Sequence, residues 1–200
     1  LQRLFDAATG CGTVRIRAVI EHNGMVYRTD TVCLIRCQDE SYPGRLSEIF
    51  NLPYVLGSPL IRAGGVYGPD AACGADCSGF IIYGRRRMGY DVPYVNPRQL
   101  QVYLVESDVV TGFRRGLAIG RRGSVRLDRG MIADGLLLHF GSHLAALYRD
   151  NPPLNVLDTG DLVAHQLEDY PRIVALRDLR QAKGRFKVMR FREPVAGARQ

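Results

Sequence analysis

The chain has 200 residues, 46% of them hydrophobic, which suits one domain, or one domain with a small appendage, and is enough to bury a core. No apolar run approaches the roughly 18 residues of a membrane span, and no signal peptide is visible. The net charge of +7 permits an anionic partner. However, the basic residues come in small separate clusters, Arg85-Arg86-Arg87, Arg114-Arg115 and Arg121-Arg122. None is interleaved with aromatics as a single-strand binder requires. They read as solvated surface, and no nucleic-acid partner is expected. The chain opens at Leu1 rather than Met, so a processed or excised piece is expected.

Residues 13–37 read as a β-hairpin. TVRIRAVIE alternates apolar and polar residues, His22-Asn23-Gly24 supplies the turn, and MVYRTDTVCLIR alternates again. A lone hairpin is not stable by itself. Residues 1–42 are therefore expected to pack on the main domain, or to be the tail of another one. The main domain is expected over 43–200.

Pro43-Gly44 reads as a break. RLSEIFNLPYVLG begins helically and stops at Pro53, and 57–76 reads as a loop rich in Gly, Pro and Ala. Phe80, Ile81 and Met88 recur at near-helical spacing, so a helix is predicted from Cys77 to Met88, with Gly89 as its stop. Asn96-Pro97 opens a further short helix, PRQLQVYLV. From about 109 the period becomes two. VVTGF, LAIG, SVRL, GLLLHF, HLAALY, LVAHQL, RIVAL and FKVMRF are the candidate strands. Helices followed by strands predict an α+β domain, with N-terminal helices packed on an antiparallel sheet.

Five cysteines, Cys11, Cys33, Cys37, Cys73 and Cys77, make an odd count. One or two bridges fit, such as Cys33 or Cys37 with Cys11, or Cys73 with Cys77. The spacing lacks the tight ligand pairs of structural zinc. Neither a metal nor a cofactor is expected.

The chemistry centres on GADCSGF. A helix start offers unpaired N–H groups and the positive end of the dipole. Both favour a thiolate, which makes Cys77 the candidate nucleophile. Its own N–H is placed to meet an oxyanion. Asp76 and Ser78 either cap the helix or grip a cationic group of a substrate. A thiol nucleophile needs a base and a group to orient that base. Of the four histidines, His22 lies in the hairpin turn, and His139, His143 and His165 lie in the strand region.

These residues resemble the NlpC family of bacterial cell-wall cysteine peptidases, which have a papain-like fold. Asp76-Cys77-Ser78-Gly79-Phe80 is similar to that family's DCSG(L/F) signature. The likeness continues in Gly89-Tyr90-Asp91-Val92-Pro93 and Gln99. Pro53-Tyr54-Val55-Leu56-Gly57 resembles its PYxWGG element, and Ala133-Asp134-Gly135-Leu136-Leu137 its GDLL strand entry with acid and glycine exchanged. Ser142-His143-Leu144-Ala145 is similar to the element of the catalytic histidine, and Val163-Ala164-His165 to the next strand. The likeness covers roughly 45–180.

The resemblance implies an NlpC-type fold with an extra N-terminal hairpin. It implies a hydrolase cutting amide bonds in peptidoglycan stem peptides next to D-glutamate, exported to the periplasm, cell envelope or medium. Cys77 would be the nucleophile, His143 the base and His165 its orienting partner, with Tyr54, Asp76 and Ser78 near the substrate. Tyr54 lies 23 residues before Cys77, further than in the family, so Tyr67 is a second candidate for its role. His139 is a second candidate for the base. A thiol acyltransferase, an amidase or an inactive binding module on the same scaffold are the alternatives.

Overall fold

The computed structural model describes residues 4–63 and 65–193. The predicted main domain runs to 200, of which 194–200 lie outside the described residues.

The N-terminal ribbon has four strands, β1 (Gly12–Ile16), β2 (Val19–His22), β3 (Met25–Arg28) and β4 (Val32–Arg36). β1 pairs with β4 and β2 with β3, both antiparallel, so the ladder is interrupted midway. Asn23 and Gly24 both take positive φ, 50° and 75°, the backbone that a two-residue hairpin turn demands. The ribbon is anchored at its base and through Arg15, which donates to the Ala71 carbonyl at 3.2 Å. Thr13 N–H donates to Asn51 Oδ1 at 2.9 Å, Asn51 Nδ2 returns to the Thr13 carbonyl at 2.8 Å, and Thr13 Oγ1 donates to the Glu48 carbonyl. Every residue of β2 and β3 is exposed.

α1 (Tyr42–Leu46) starts three residues earlier than its sequence pattern suggests and runs into a 3-10 turn over 47–49. Pro43-Gly44, which reads as a break, sits inside its first turn, where proline's fixed φ suits a helix start. Two short strands follow, β5 (Arg62–Ala63) paired with β6 (Val66–Tyr67). α2 (Cys77–Arg87) is capped by Asp76, ends at Met88 and is followed by Gly89 at φ 88°. Gly84 lets α1 and α2 touch: a Cβ there would stand 2.7 Å from Leu46 Cδ2 and 2.9 Å from Tyr42 Cε2.

α3 (Pro97–Leu100) has the capping box of Asn96 and Gln99, but it is shorter than predicted. A 3-10 turn follows, and β7 (Leu104–Val110) is a strand where the pattern continues the helix through Leu104-Val105. β8 (Gly112–Arg114), β9 (Leu117–Gly120) and β10 (Gly123–Ser124) form a small meander. α4 (Arg129–Asp134), which the pattern does not suggest, is capped by Asp128 and closed by Gly135 at φ 109°. β11 (Leu136–His139), β12 (Leu144–Arg149), β13 (Leu162–His165), β14 (Arg172–Ala175) and β15 (Phe186–Phe191) complete the chain.

The main sheet has six strands in the order β14-β13-β12-β11-β15-β7, every neighbouring pair antiparallel. The protein is thus mixed α/β, with a six-stranded antiparallel sheet and few helices. Alternation along the strands divides the core in two. One face carries Leu137, Leu144, Ala146, Ala164 and Met189, and is covered by Phe80, Ile81 and Ile82 of α2 and by Leu46 of α1. The other carries Leu138, Ala145, Leu147, Val163 and Phe186, and is covered by Ala118, Val125, Leu157 and Leu176.

Candidate functional site

Cys77 is the first residue of α2 and is buried. Its position follows from the loop before it. Residues 53–55 pair with Ala75: Val55 N–H donates to the Ala75 carbonyl at 3.0 Å, and Ala75 N–H to the Pro53 carbonyl at 3.2 Å. Gly74, at φ 121°, passes so close that a Cβ would stand 2.8 Å from the Pro53 oxygen. This pairing holds Tyr54 beside Ala75.

Asp76 is spent on local structure. Its Oδ1 accepts from Gly79 N–H at 2.7 Å and from Ser78 Oγ at 2.9 Å, and its Oδ2 accepts from Gly57 N–H at 3.1 Å. Both Asp76 and Ser78 are buried. The two residues expected near the substrate therefore bond to each other and to the backbone.

The Cys77 sulfur lies 4.0 Å from the Ser142 carbonyl oxygen. Burial, and then the Asp76 carboxylate, push its pKa up to about 11, while the N–H groups of Leu144, Ser78 and Cys77 itself pull the other way. The thiol thus sits among three backbone donors from two elements, the start of α2 and the start of β12. Tyr54 belongs to this surrounding. Its phenol is raised by burial first, then by Cys77, Asp76 and Glu168. Tyr67 lies elsewhere, under Arg62 and against the Tyr94 ring, 5.0 Å between centroids.

The histidines divide between the two faces of the sheet. His139 pairs with Leu144 across β11 and β12, so it shares the face covered by α2. Both its nitrogens are engaged: Nδ1 accepts from Gly141 N–H at 3.2 Å, which makes Nε2 the donor to the Pro97 carbonyl at 3.0 Å. Phe140 N–H donates to the His143 carbonyl at 2.9 Å, which sets these two residues opposite each other at the turn. Their rings stack 6.2 Å apart, and Phe140 also meets Phe186 at 5.0 Å. His165 pairs with Ala145. The His143 and His165 rings meet edge to face, 5.3 Å between centroids.

The structure therefore brings His143 and His165 together, but on the face opposite α2. No hydrogen bond joins the Cys77 thiol to an imidazole among the described residues. Among the described residues, both nitrogens of His143, and Nδ1 of His165, are buried without a partner. Burial, and then His165, push His143 down to about 4. His165 is lowered by burial and then by Arg172. The resting thiol and imidazole are both neutral, where the sequence pattern leads one to expect a thiolate favoured by the helix start.

One residue has no counterpart among the candidates read from sequence. Gln166 follows His165, is fully buried and donates from Nε2 to the Leu52 carbonyl at 3.1 Å; its Oε1 has no partner. It ties the end of β13 to the segment that carries Tyr54. The signal is present in LVAHQL, whose alternation sends Gln166 to the face of Ala164, under α2.

All five cysteines are free, with Cys11 and Cys77 buried and Cys33 and Cys73 exposed. Among the described residues, no group of three or more His, Cys, Asp or Glu is placed to hold a metal ion, and no helix is long and apolar enough to cross a membrane. Compared with protein-family models, with curated proteins and with solved structures, the chain matches none.

Proposed function

We propose that this chain is a cysteine hydrolase of amide bonds with Cys77 as its nucleophile. The observation that carries the reading is the thiol at the start of an 11-residue helix, among the N–H groups of Cys77, Ser78 and Leu144, the last of them adjacent in sequence to a buried imidazole with no partner on either nitrogen. Unpartnered buried polar groups are rare and call for an explanation. A base waiting for a proton supplies one.

In this mechanism the His143 ring leaves Phe140 and reaches the thiol past the Gly141-Ser142 turn. The S–H proton passes to an imidazole nitrogen and sulfur attacks the carbonyl carbon, forming the S–C bond. The carbonyl π pair moves to oxygen, and the backbone donors hold that charge. The C–N bond breaks, and the imidazolium gives its proton to the leaving amine. Water then hydrolyses the thioester, with His143 as base and His165 as the partner that orients it. Tyr54 borders the substrate, while Asp76 and Ser78 hold the helix start that presents Cys77.

By the resemblance of its motifs to the NlpC family, whose papain-like fold it is then expected to share, the substrate is the peptide stem of peptidoglycan, cut next to D-glutamate, and the site of action is the periplasm, cell envelope or medium. The same first half-reaction serves a thiol acyltransferase or an amidase. One observation favours a second reading, an inactive binding module: the thiol and the imidazole pair occupy opposite faces of the sheet.

The test is cleavage of purified stem peptides by the wild type and by the Cys77→Ala, His143→Ala and His139→Ala variants. Cleavage lost with Cys77 or His143, but kept without His139, supports the hydrolase as assigned. Loss with His139 in place of His143 moves the base to the α2 face. Absence of cleavage and of any acyl-enzyme by mass spectrometry selects the binding module.

A further inference from the structure

The net charge of the chain is not spread evenly. Between Gly112 and Arg129 stand six arginines, Arg114, Arg115, Arg121, Arg122, Arg126 and Arg129, against one acid, Asp128. This stretch carries five net positive charges of the +7 for the whole chain. It folds as the β8-β9-β10 meander and the start of α4, and all six arginines are exposed. Arg114 and Arg115 lie at one turn, where Arg115 takes φ 51° before Gly116 at φ 84°. Left-handed backbone at a non-glycine residue is uncommon and mildly strained. Arg121 and Arg122 lie at the other turn, ahead of Gly123 at φ 104°. The four residues of β9 separate the two turns by roughly 13 Å at about 3.3 Å per residue.

Several acids lie nearby: Asp108 accepts from Arg121 N–H at 3.0 Å, and Asp39 and Asp150 share a groove with Arg129. Asp128 accepts from Gly130 N–H at 2.6 Å as the cap of α4. Glu106 pairs with Arg121 at 2.5 Å and with Lys187 at 3.1 Å. Among the described residues the other five arginines form no ion pair. Phe113, the one aromatic of the stretch, turns inward, 6.2 Å from the Phe186 ring. A polymer on this surface would thus meet guanidinium groups and no stacking platform.

We infer that the β8-β10 meander binds a linear phosphodiester polymer through its backbone alone. Guanidinium forks match phosphate oxygens in pairs. Laid along a duplex axis, a span of about 13 Å matches some four base-pair rises of roughly 3.4 Å. Recognition by charge without base contact is independent of sequence and steeply dependent on salt. This surface is separate from Cys77, and the inference does not rest on the hydrolase reading.

The test is binding of fluorescent 20-base-pair duplex DNA, poly(glycerol phosphate) and polyglutamate between 25 and 200 mM salt. The proteins are the wild type, Arg114→Ser/Arg122→Ser and the control Arg28→Ser, each checked for an unchanged melting curve. The expected result is binding of the phosphodiester polymers, weakening as salt rises. The slope of log K against log salt should fall in magnitude by about 2 in the double variant, one for each phosphate that an arginine no longer meets, and stay unchanged in Arg28→Ser. Binding of both phosphodiesters means the backbone alone is read. Binding of only one of them means that more than the shared backbone is read, and overturns the inference. Equal affinity for polyglutamate, no binding, or an unchanged slope in the double variant overturns the inference.

Discussion

The imidazoles of His143 and His165 meet edge to face, 5.3 Å apart with planes at 89°, and among the described residues no hydrogen bond reaches either nitrogen of His143. A neutral pair buried in this way is stable only while it stays neutral. The folded pKa of His143, about 4, lies below its ordinary 6.5. Below pH 6.5 the unfolded chain takes up a proton that the folded chain refuses. Stability should therefore fall as pH drops from about 6.5 to about 4, by about 3 kcal/mol for this residue. His165, shifted the same way, adds to the slope. Urea midpoints across that range should decline in the wild type and decline less in His143→Leu. Parallel curves for the two proteins would sink the claim.

Cys77 should be slow toward iodoacetamide in the substrate-free protein at neutral pH. Its alkylation, followed by peptide mapping, should climb toward a midpoint near pH 11, with exposed Cys33 and Cys73 as the internal comparison. Asp76→Asn keeps a capping oxygen for Gly79 but loses the charge that raises the thiol. Its midpoint should move down, with about 1 kcal/mol of stability lost at the Gly57 bond. A midpoint that moves up would exclude Asp76 as a cause.

Glu48 is fully buried and accepts from Arg87 Nε at 2.6 Å, Arg45 Nη1 at 2.8 Å and Tyr83 OH at 2.8 Å. Burial alone would raise its carboxyl, but these bonds outweigh it and hold the pKa below the ordinary value of 4.5. The stability it confers is present above that value and is lost as pH falls through the folded pKa. Glu48→Gln leaves Arg87 short of a counter-charge, while Arg45 keeps Glu40, and should cost about 3 kcal/mol at pH 7, read from urea unfolding. A loss below about 1 kcal/mol would mean that the arginines find other partners.

Gly74→Ala should disturb the site without touching its side chains. At φ 121°, with the Pro53 oxygen 2.8 Å from the added carbon, the loop must shift or strain. The expected result is a loss of about 1–3 kcal/mol, read as a lower melting temperature, together with altered Cys77 alkylation as the 53–55 pairing loosens. Unchanged melting and unchanged alkylation would show that the loop yields freely.

Some of this is legible in the sequence. Asp76-Cys77 announces a capped helix start, and the histidine-bearing segments announce neighbouring strands. Both are local patterns of composition and period. The face on which His143 lies is not legible, because LAAL reads almost the same from either side of a strand. β7 is hidden because Leu100 and Leu104 stand one helical turn apart. α4 is hidden because six residues with an internal glycine leave no periodicity to detect. The gathering of the arginines is also hidden, since it depends on how the meander folds.

The near-symmetry of β12 sets how small a change in the chain would re-aim an imidazole toward the thiol. Leu144 holds the slot opposite His139, against the Cys77 sulfur, while His143 looks the other way. One residue added to the Phe140–His143 turn would slide the strand by a single position and put His143 in that slot. Leu and Ala would still fall on each side, while Tyr148 would leave its contact with Phe50. The length of one turn thus decides whether the imidazole rests beside the thiol or must swing round the Gly141-Ser142 turn to reach it.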